Sequence, residues 1–78
     1  MAPRTDGLAA LRQWMAAGVS QSELARRLGI RQPSVAAWLS RDARPDALRR
    51  VLLESVAGIP RDAWLTSAER ARLATVRA

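Results

Sequence analysis

The chain has 78 residues, which limits it to one small domain with much of its surface in water. Thirteen arginines, no lysine and seven acids give a net charge of +6, which favours a polyanionic partner, either a nucleic acid or an anionic membrane surface. The lack of cysteine excludes disulfides and thiolate metal sites.

Every segment between the glycines and prolines has a helical period, so the sequence predicts an all-α single domain, residues 1–78, of about five helices. The first helix is predicted over residues 6–17. Leu8, Leu11 and Met15 lie on one stripe of it, and Gly18 is a natural C-terminal stop.

The second helix is predicted over residues 21–28. Ser20 and Glu23 match a capping box, in which each side chain satisfies a backbone N–H at the helix start. Gly29 can adopt the positive φ that ends a helix. We therefore expect a short turn directly after Leu28.

The third helix is predicted over residues 32–40, because Pro33 is well placed in a first helical turn. Val35, Trp38 and Leu39 follow the i, i+3, i+4 spacing of a buried stripe.

A polar loop over residues 41–45 leads to a fourth helix, which opens at Pro45 and Asp46 and ends at Gly58. The residues predicted to share one face of this helix are Leu48, Val51, Leu52 and Ser55. A loop over residues 59–62 follows.

A second capping box, Thr66 with Glu69, predicts a fifth helix over about residues 67–76. This C-terminal helix is a candidate dimer surface, because its apolar residues exceed what a minimal four-helix version requires. The residues of that candidate surface are Trp64, Leu65, Leu73 and Val76.

Residues 21–40 meet the spacing constraints of a helix-turn-helix, in which two helices cross steeply over a very short turn. Ala25 is small where the helices approach, and Gly29 stands at the turn. The apolar residues that pack the two helices onto the core are Leu24, Leu28, Ile30, Val35 and Trp38.

The segment VSQSELARRLGIRQPSVAAWLS resembles the lambda-repressor-like helix-turn-helix family, which includes the phage Cro proteins and the xenobiotic-response-element regulators. The following segment resembles the fourth helix and trailing residues of small members, so the resemblance covers about residues 8–65. It implies an all-helical domain that binds double-stranded DNA as a homodimer. It also implies that the start of the third helix reads bases while helix two crosses the DNA backbone.

Carried over to this sequence, the resemblance places four residues on the base-reading face: Gln32, Pro33, Ser34 and Ala37. It places Gln21 near a phosphate, where it can brace the base-reading residue. Gln32 is the first choice, because its amide can pair with adenine N7 and N6 at once. Ser34 can bond several base edges, and Pro33 or Ala37 can pack on a thymine methyl.

Arginines beside the third helix are the predicted phosphate contacts: Arg31, Arg41 and Arg44. Arg31 departs from the family, since it stands where a Ser or Thr usually caps helix three, and this gives up roughly 1 kcal/mol. Its guanidinium can reach a phosphate or fork onto guanine O6 and N7. The phosphate role is favoured over the base role.

The sequence argues against an enzyme, since it has no His, Cys or Tyr, no Gly-rich phosphate loop and no acids at metal-ligand spacing. We expect no cofactor, metal or small-molecule substrate. Arg12 and Gln13 interrupt the only N-terminal apolar stretch, and no window is long enough to span a membrane. The expected location is the cytoplasm of a bacterial or phage-infected cell, on the nucleoid when bound to DNA.

Two rivals to a DNA-binding regulator remain. One is a helix-turn-helix module that docks a protein partner, such as an antitoxin or a phage accessory subunit; an apolar recognition face would favour it. The other is adhesion to an anionic membrane, which is disfavoured because the apolar stripes are needed for the core.

Overall fold

A computed structural model describes residues 6–77, and the regular structure within that part consists of five α-helices and one short 3₁₀ helix. In chain order these are α1 Gly7–Met15, α2 Gln21–Leu28, α3 Gln32–Leu39, α4 Ala47–Ala57, the 3₁₀ helix Arg61–Trp64 and α5 Ser67–Arg77. The all-α fold class and the number of helices predicted from the sequence are confirmed.

Helix α1 begins after Asp6, whose carboxylate accepts a hydrogen bond of 2.7 Å from the backbone N–H of Ala9. The helix ends at Met15, two residues before the predicted end. Residues 16–18 form a turn instead, in which Gly18 has a φ of 118°. This glycine therefore closes the turn after the helix rather than the helix itself.

Helix α2 has the predicted bounds. The N–H of Glu23 donates to Ser20 Oγ at 3.1 Å, and Gly29 ends the helix with φ 69° and ψ 31°. The prediction that the Glu23 carboxylate returns to the Ser20 backbone was wrong. That carboxylate pairs with Arg26 and Arg27, because on a helix its own i+3 and i+4 neighbours lie within reach.

Helix α3 starts at the predicted residue and ends at Leu39, one residue earlier than predicted. Arg31 occupies the N-cap position with an extended backbone, and its side chain makes no capping hydrogen bond. Val35 and Trp38 are buried as predicted, whereas Leu39 is only half-buried.

The hydrophobic core lies between α1 to α4 and the 3₁₀ helix. Its buried members are Leu8, Leu11, Leu24, Ala25, Leu28, Val35, Trp38, Leu53, Ile59, Ala63 and Trp64. Trp14 is half-buried at the edge of this core, and the Arg27 guanidinium carbon lies 5.8 Å from the centroid of its ring, within range of a cation–π contact.

Helix α4 turns a different side to the core from the one that its spacing suggested. Leu48 and Val51 are 58% and 44% exposed, while Leu53 is fully buried. The helix carries apolar residues on two adjoining sides, and the core takes the side that faces α2 and the 3₁₀ helix. Asp46 caps α4 by accepting the Arg49 N–H at 2.9 Å, so the helix begins at Ala47 rather than at Pro45.

The 3₁₀ helix begins within the segment predicted as a loop and brings Trp64 into the core. The indole lies directly over Gly7 at the start of α1, where a Cβ would be only 2.3 Å from Trp64 Cδ2. Trp64 thus fixes the N-terminal end of α1 through a contact that only glycine permits.

Helix α5 lies at the periphery. Its predicted capping box is confirmed: the Glu69 N–H donates to Thr66 Oγ1 at 3.1 Å, and the Thr66 N–H donates to Glu69 Oε1 at 2.8 Å. None of its residues is buried. Two arginines connect the helix to the rest of the domain, since Arg44 bonds Glu69, and Arg70 donates to the Ala63 carbonyl at 3.0 Å.

Candidate nucleic-acid interface

The N-terminal ends of α2 and α3 meet on one surface. Ser22 Oγ in the first turn of α2 donates to Gln32 Oε1 in the first turn of α3 across 3.0 Å. The close approach depends on buried Ala25 and on the left-handed Gly29 between the helices. The hydrogen bond joins the starts of the two helices directly.

The first turn of α3 presents most of the predicted base-reading residues to solvent. Gln32, Pro33 and Ser34 are exposed, whereas Ala37 is half-buried. Ala36, one residue before Ala37, is exposed. The exposed residues at the start of α3 are therefore small or polar. No large side chain among them covers the Gln32 amide or the Ser34 hydroxyl.

The hydrogen-bond partner of Gln32 is Ser22, whereas the resemblance gives the bracing role to Gln21. Gln21 is half-buried at the first position of α2, one residue before Ser22. Ser22 is not among the site residues predicted from the sequence. Its position in the first turn of α2, with Ser20 already serving as the cap, leaves its hydroxyl without a capping role, but only the packing of the helices shows that Gln32 is its partner.

Arg31 lies at the junction of the two helix starts and is exposed. Among the described residues its side chain forms no ion pair. Helix N-termini carry a partial positive charge from their aligned backbone dipoles, and an added guanidinium strengthens the local attraction for an anion. The junction thus combines hydrogen-bonding groups with positive charge.

Arg41 lies at the opposite end of α3, which as an eight-residue helix is about 12 Å long. Its φ of 66° is in the left-handed region, and this backbone turns the chain out of the helix. The side chain is 67% exposed, with Nη2 at 3.8 Å from Asp6 Oδ2. Such a long, exposed pair leaves the guanidinium accessible.

Arg44 has structural partners. Its Nη1 donates to the Trp64 carbonyl at 3.0 Å and to Glu69 Oε1 at 2.7 Å, so it connects the loop after α3 to the start of α5. The pKa of Glu69 is lowered from 4.5 to about 2, first by the Thr66 backbone N–H and then by Arg44. A phosphate would have to compete with these bonds for Arg44.

The other arginines between residues 26 and 50 are also engaged. Arg26 and Arg27 pair with Glu23, whose pKa is lowered chiefly by the Arg27 hydrogen bond. Arg49 lies 3.3 Å from Asp46, and Arg50 Nε donates to the Pro45 carbonyl at 2.8 Å. Within residues 6–77, Arg31 and Arg41 therefore remain the most available cations beside α3.

A cleft of about 590 Å³ opens between the loop after α3 and the start of α5. Arg41, Arg44 and Arg70 line it together with Trp64 and Asp6. Over residues 6–77 no three His, Cys, Asp or Glu side chains are grouped to hold a metal ion. No helix in the described part has the length and apolar character needed to cross a membrane.

A protein-family model described as helix-turn-helix matches residues 8–64. The match begins in α1 and ends with the 3₁₀ helix, so α5 lies outside it. Neither the curated proteins nor the solved structures contain a match to the chain. The family match therefore covers the same core and the same pair of helices that form the polar surface.

Proposed function

The chain belongs to the lambda repressor/Cro-like helix-turn-helix family of DNA-binding regulators, and on this basis we propose that it is a sequence-specific transcriptional repressor or activator. The observation that carries the proposal is the exposed start of α3, where Gln32 is held by Ser22 beside Arg31. A polar and basic surface of this kind suits the major groove of double-stranded DNA better than an apolar protein partner.

Base reading is assigned to the first turns of α3. Gln32 pairs with an adenine through N7 and N6, and one such pair gives about 1–3 kcal/mol of discrimination. Ser34 bonds a neighbouring base edge, while Pro33 and the half-buried Ala37 pack against a thymine methyl. The exposure of the first three residues supports this assignment.

Phosphate binding is assigned to Gln21 and to arginines at both ends of α3. Arg31 contacts the backbone at one end and Arg41 at the other, so that the helix is oriented between two phosphate contacts. Arg44 binds a phosphate only when its hydrogen bond to Glu69 is broken. These contacts supply most of the affinity and make it depend on salt.

The proposed binding form is a homodimer on a pseudo-palindromic operator with half-sites about one helical turn apart. Exposed apolar residues support a further interface: Val76 on α5 is 81% exposed, and Leu48 and Val51 on α4 are the other large exposed hydrophobic residues in the described part. A domain this small has a thin core, and dimerisation would bury more apolar surface.

Binding measured against salt concentration tests the division of roles. Gln32→Ala should flatten discrimination at one base position of each half-site, whereas Arg41→Gln should weaken binding to all sequences and reduce the salt slope by about one for each subunit, or about two for the dimer. Arg61→Gln, at an exposed position of the 3₁₀ helix outside α3 and the proposed dimer surface, is the matched charge control. If Gln32→Ala and Arg41→Gln behaved alike across sequences, the assignment would be wrong, and absence of DNA binding would favour a protein-docking module.

A further inference from the structure

We infer that Ser22 is a positioning residue for base reading, which orients the Gln32 amide before DNA arrives. This inference rests on the proposed function of α3. The observation behind it is the 3.0 Å hydrogen bond from Ser22 Oγ to Gln32 Oε1.

The bond connects two rigid elements. Ser22 is in the first turn of α2 and Gln32 is in the first turn of α3, and the intervening turn is closed by a 3.0 Å bond from the Ile30 N–H to the Ala25 carbonyl. Ala25 is buried between the helices. The separation of the two side chains is therefore set by packed backbone and not by a flexible loop.

Ser22 has no other structural duty that would explain it. Ser20 caps α2 by accepting the Glu23 N–H, so the helix start is already satisfied two residues earlier. Ser22 is exposed and contributes nothing to the core. Its hydroxyl donates to Gln32, an exposed side chain that is not part of the core.

Orientation in the free protein lowers the cost of binding. A glutamine side chain has several rotatable bonds, and ordering them at an interface reduces affinity. The Ser22 bond uses one lone pair of Oε1, so the second lone pair and both N–H groups of Gln32 remain available to a base edge. The amide can therefore be held and still read a base.

Single substitutions and their combination test this role. Affinity is measured for the preferred duplex and for a duplex altered only at the base pair read by Gln32. The ratio of the affinity for the preferred duplex to that for the altered duplex should fall about three- to tenfold in Ser22→Ala, which is the effect of one hydrogen bond. Ser22→Thr, which keeps the hydroxyl, should restore it, and Ser22→Ala should have no effect on the ratio in a Gln32→Ala background.

The controls separate orientation from stability and from general affinity. Ser22→Ala should remain folded at the temperature of the binding assay, and its binding to unrelated duplex should equal that of the unaltered protein. An equal loss on all duplexes, or full discrimination in Ser22→Ala while Gln32→Ala loses it, would overturn the positioning role alone. An unaltered protein with no preference at any base pair would overturn the proposed function as well.

Discussion

At the start of α3, a single side chain adds positive charge but leaves the helix without a side-chain cap. Arg31 stands in the N-cap position, yet its side chain leaves the cap unmade. Ser20 and Asp46 show what a capping side chain does in this domain, because each accepts a backbone N–H at the start of its helix. The missing cap of α3 is the local cost of placing a guanidinium beside Gln32.

Replacing Arg31 with serine should reverse this exchange. Arg31→Ser is expected to raise the free energy of unfolding by about 0.5–1 kcal/mol through capping. The same change should weaken DNA binding and lower the salt slope by about two for the dimer, since each subunit loses one phosphate contact. Urea unfolding and binding titrations measure the two effects. Arg31→Gln removes the charge without adding a good cap, and unchanged DNA binding in both variants would exclude Arg31 from the interface.

Glu69 predicts a pH dependence of stability. Its pKa is lowered from 4.5 to about 2 in the folded protein, first by the Thr66 N–H and then by Arg44. The charged carboxylate therefore stabilises the fold fully above about pH 4.5, and this contribution is lost as the pH falls towards 2. Melting temperatures at several pH values should differ between the unaltered protein and Glu69→Gln above pH 4.5 and converge near pH 2. A difference that stayed constant over this range would contradict the prediction.

At the scale of helices, one tight contact joins α1 to the 3₁₀ helix. The Trp64 ring occupies the space above Gly7, so these two elements are fixed by one close approach. By contrast, α5 contributes no buried residue and depends on hydrogen bonds from Arg44 and Arg70. The domain thus has a closely packed side and a loosely attached one.

Substitution of Gly7 by alanine tests the packed side. Alanine has the higher helix propensity, by roughly 0.5–1 kcal/mol. The added Cβ would collide with the indole, however, and overpacking of this kind costs about 1–3 kcal/mol, so Gly7→Ala should be destabilising. Ala9→Gly, at an exposed position of the same helix, should lose only the propensity difference. Chemical denaturation that showed Gly7→Ala to be more stable than the unaltered protein would refute the contact.

Truncation after Leu65 tests the loosely attached side. The shortened chain should still unfold cooperatively, because the buried core lies within α1 to α4 and the 3₁₀ helix. We expect its mass in solution to be that of a monomer, since removal of Leu73 and the exposed Val76 takes away the proposed dimer surface on α5. A truncated chain that remained dimeric would shift the interface to Leu48 and Val51 on α4.

At the scale of the whole molecule, local signals predicted more than long-range ones. The bounds of α2 followed from the Ser20 cap and Gly29, because a cap and a positive φ act within a few residues. The buried side of α4 did not follow, since two adjoining sides are apolar and only the position of the other helices selects one.

At the candidate site, too, local signals were predictive and long-range contacts were not. The start of α3 at Gln32 was predicted from Pro33 and from the family spacing. The Ser22 bond to Gln32 and the Arg44 bond to Glu69 were not, because their partners are 10 and 25 residues apart and meet only when the helices pack. Residue types therefore suggested the function, while packing shows which groups are held and which are available.

Packing also decides which basic side chains of the molecule are available to a ligand. Seven arginines and two acids lie between residues 26 and 50, yet most of these arginines have partners within the domain. Exposed pairs of this kind add little stability. Arg31 and Arg41, at the two ends of α3, have the weakest competing partners among these seven arginines.

Selection of bound sequences from a random pool of duplex DNA is the most direct test of the account, with the unaltered protein and Gln32→Ala selected in parallel. The unaltered protein should enrich one pseudo-palindromic motif whose half-sites are about one helical turn apart. Gln32→Ala should lose the preference at one base pair of each half-site and retain the rest. Failure of the unaltered protein to enrich any motif, or enrichment of the same motif at full strength by Gln32→Ala, would contradict it.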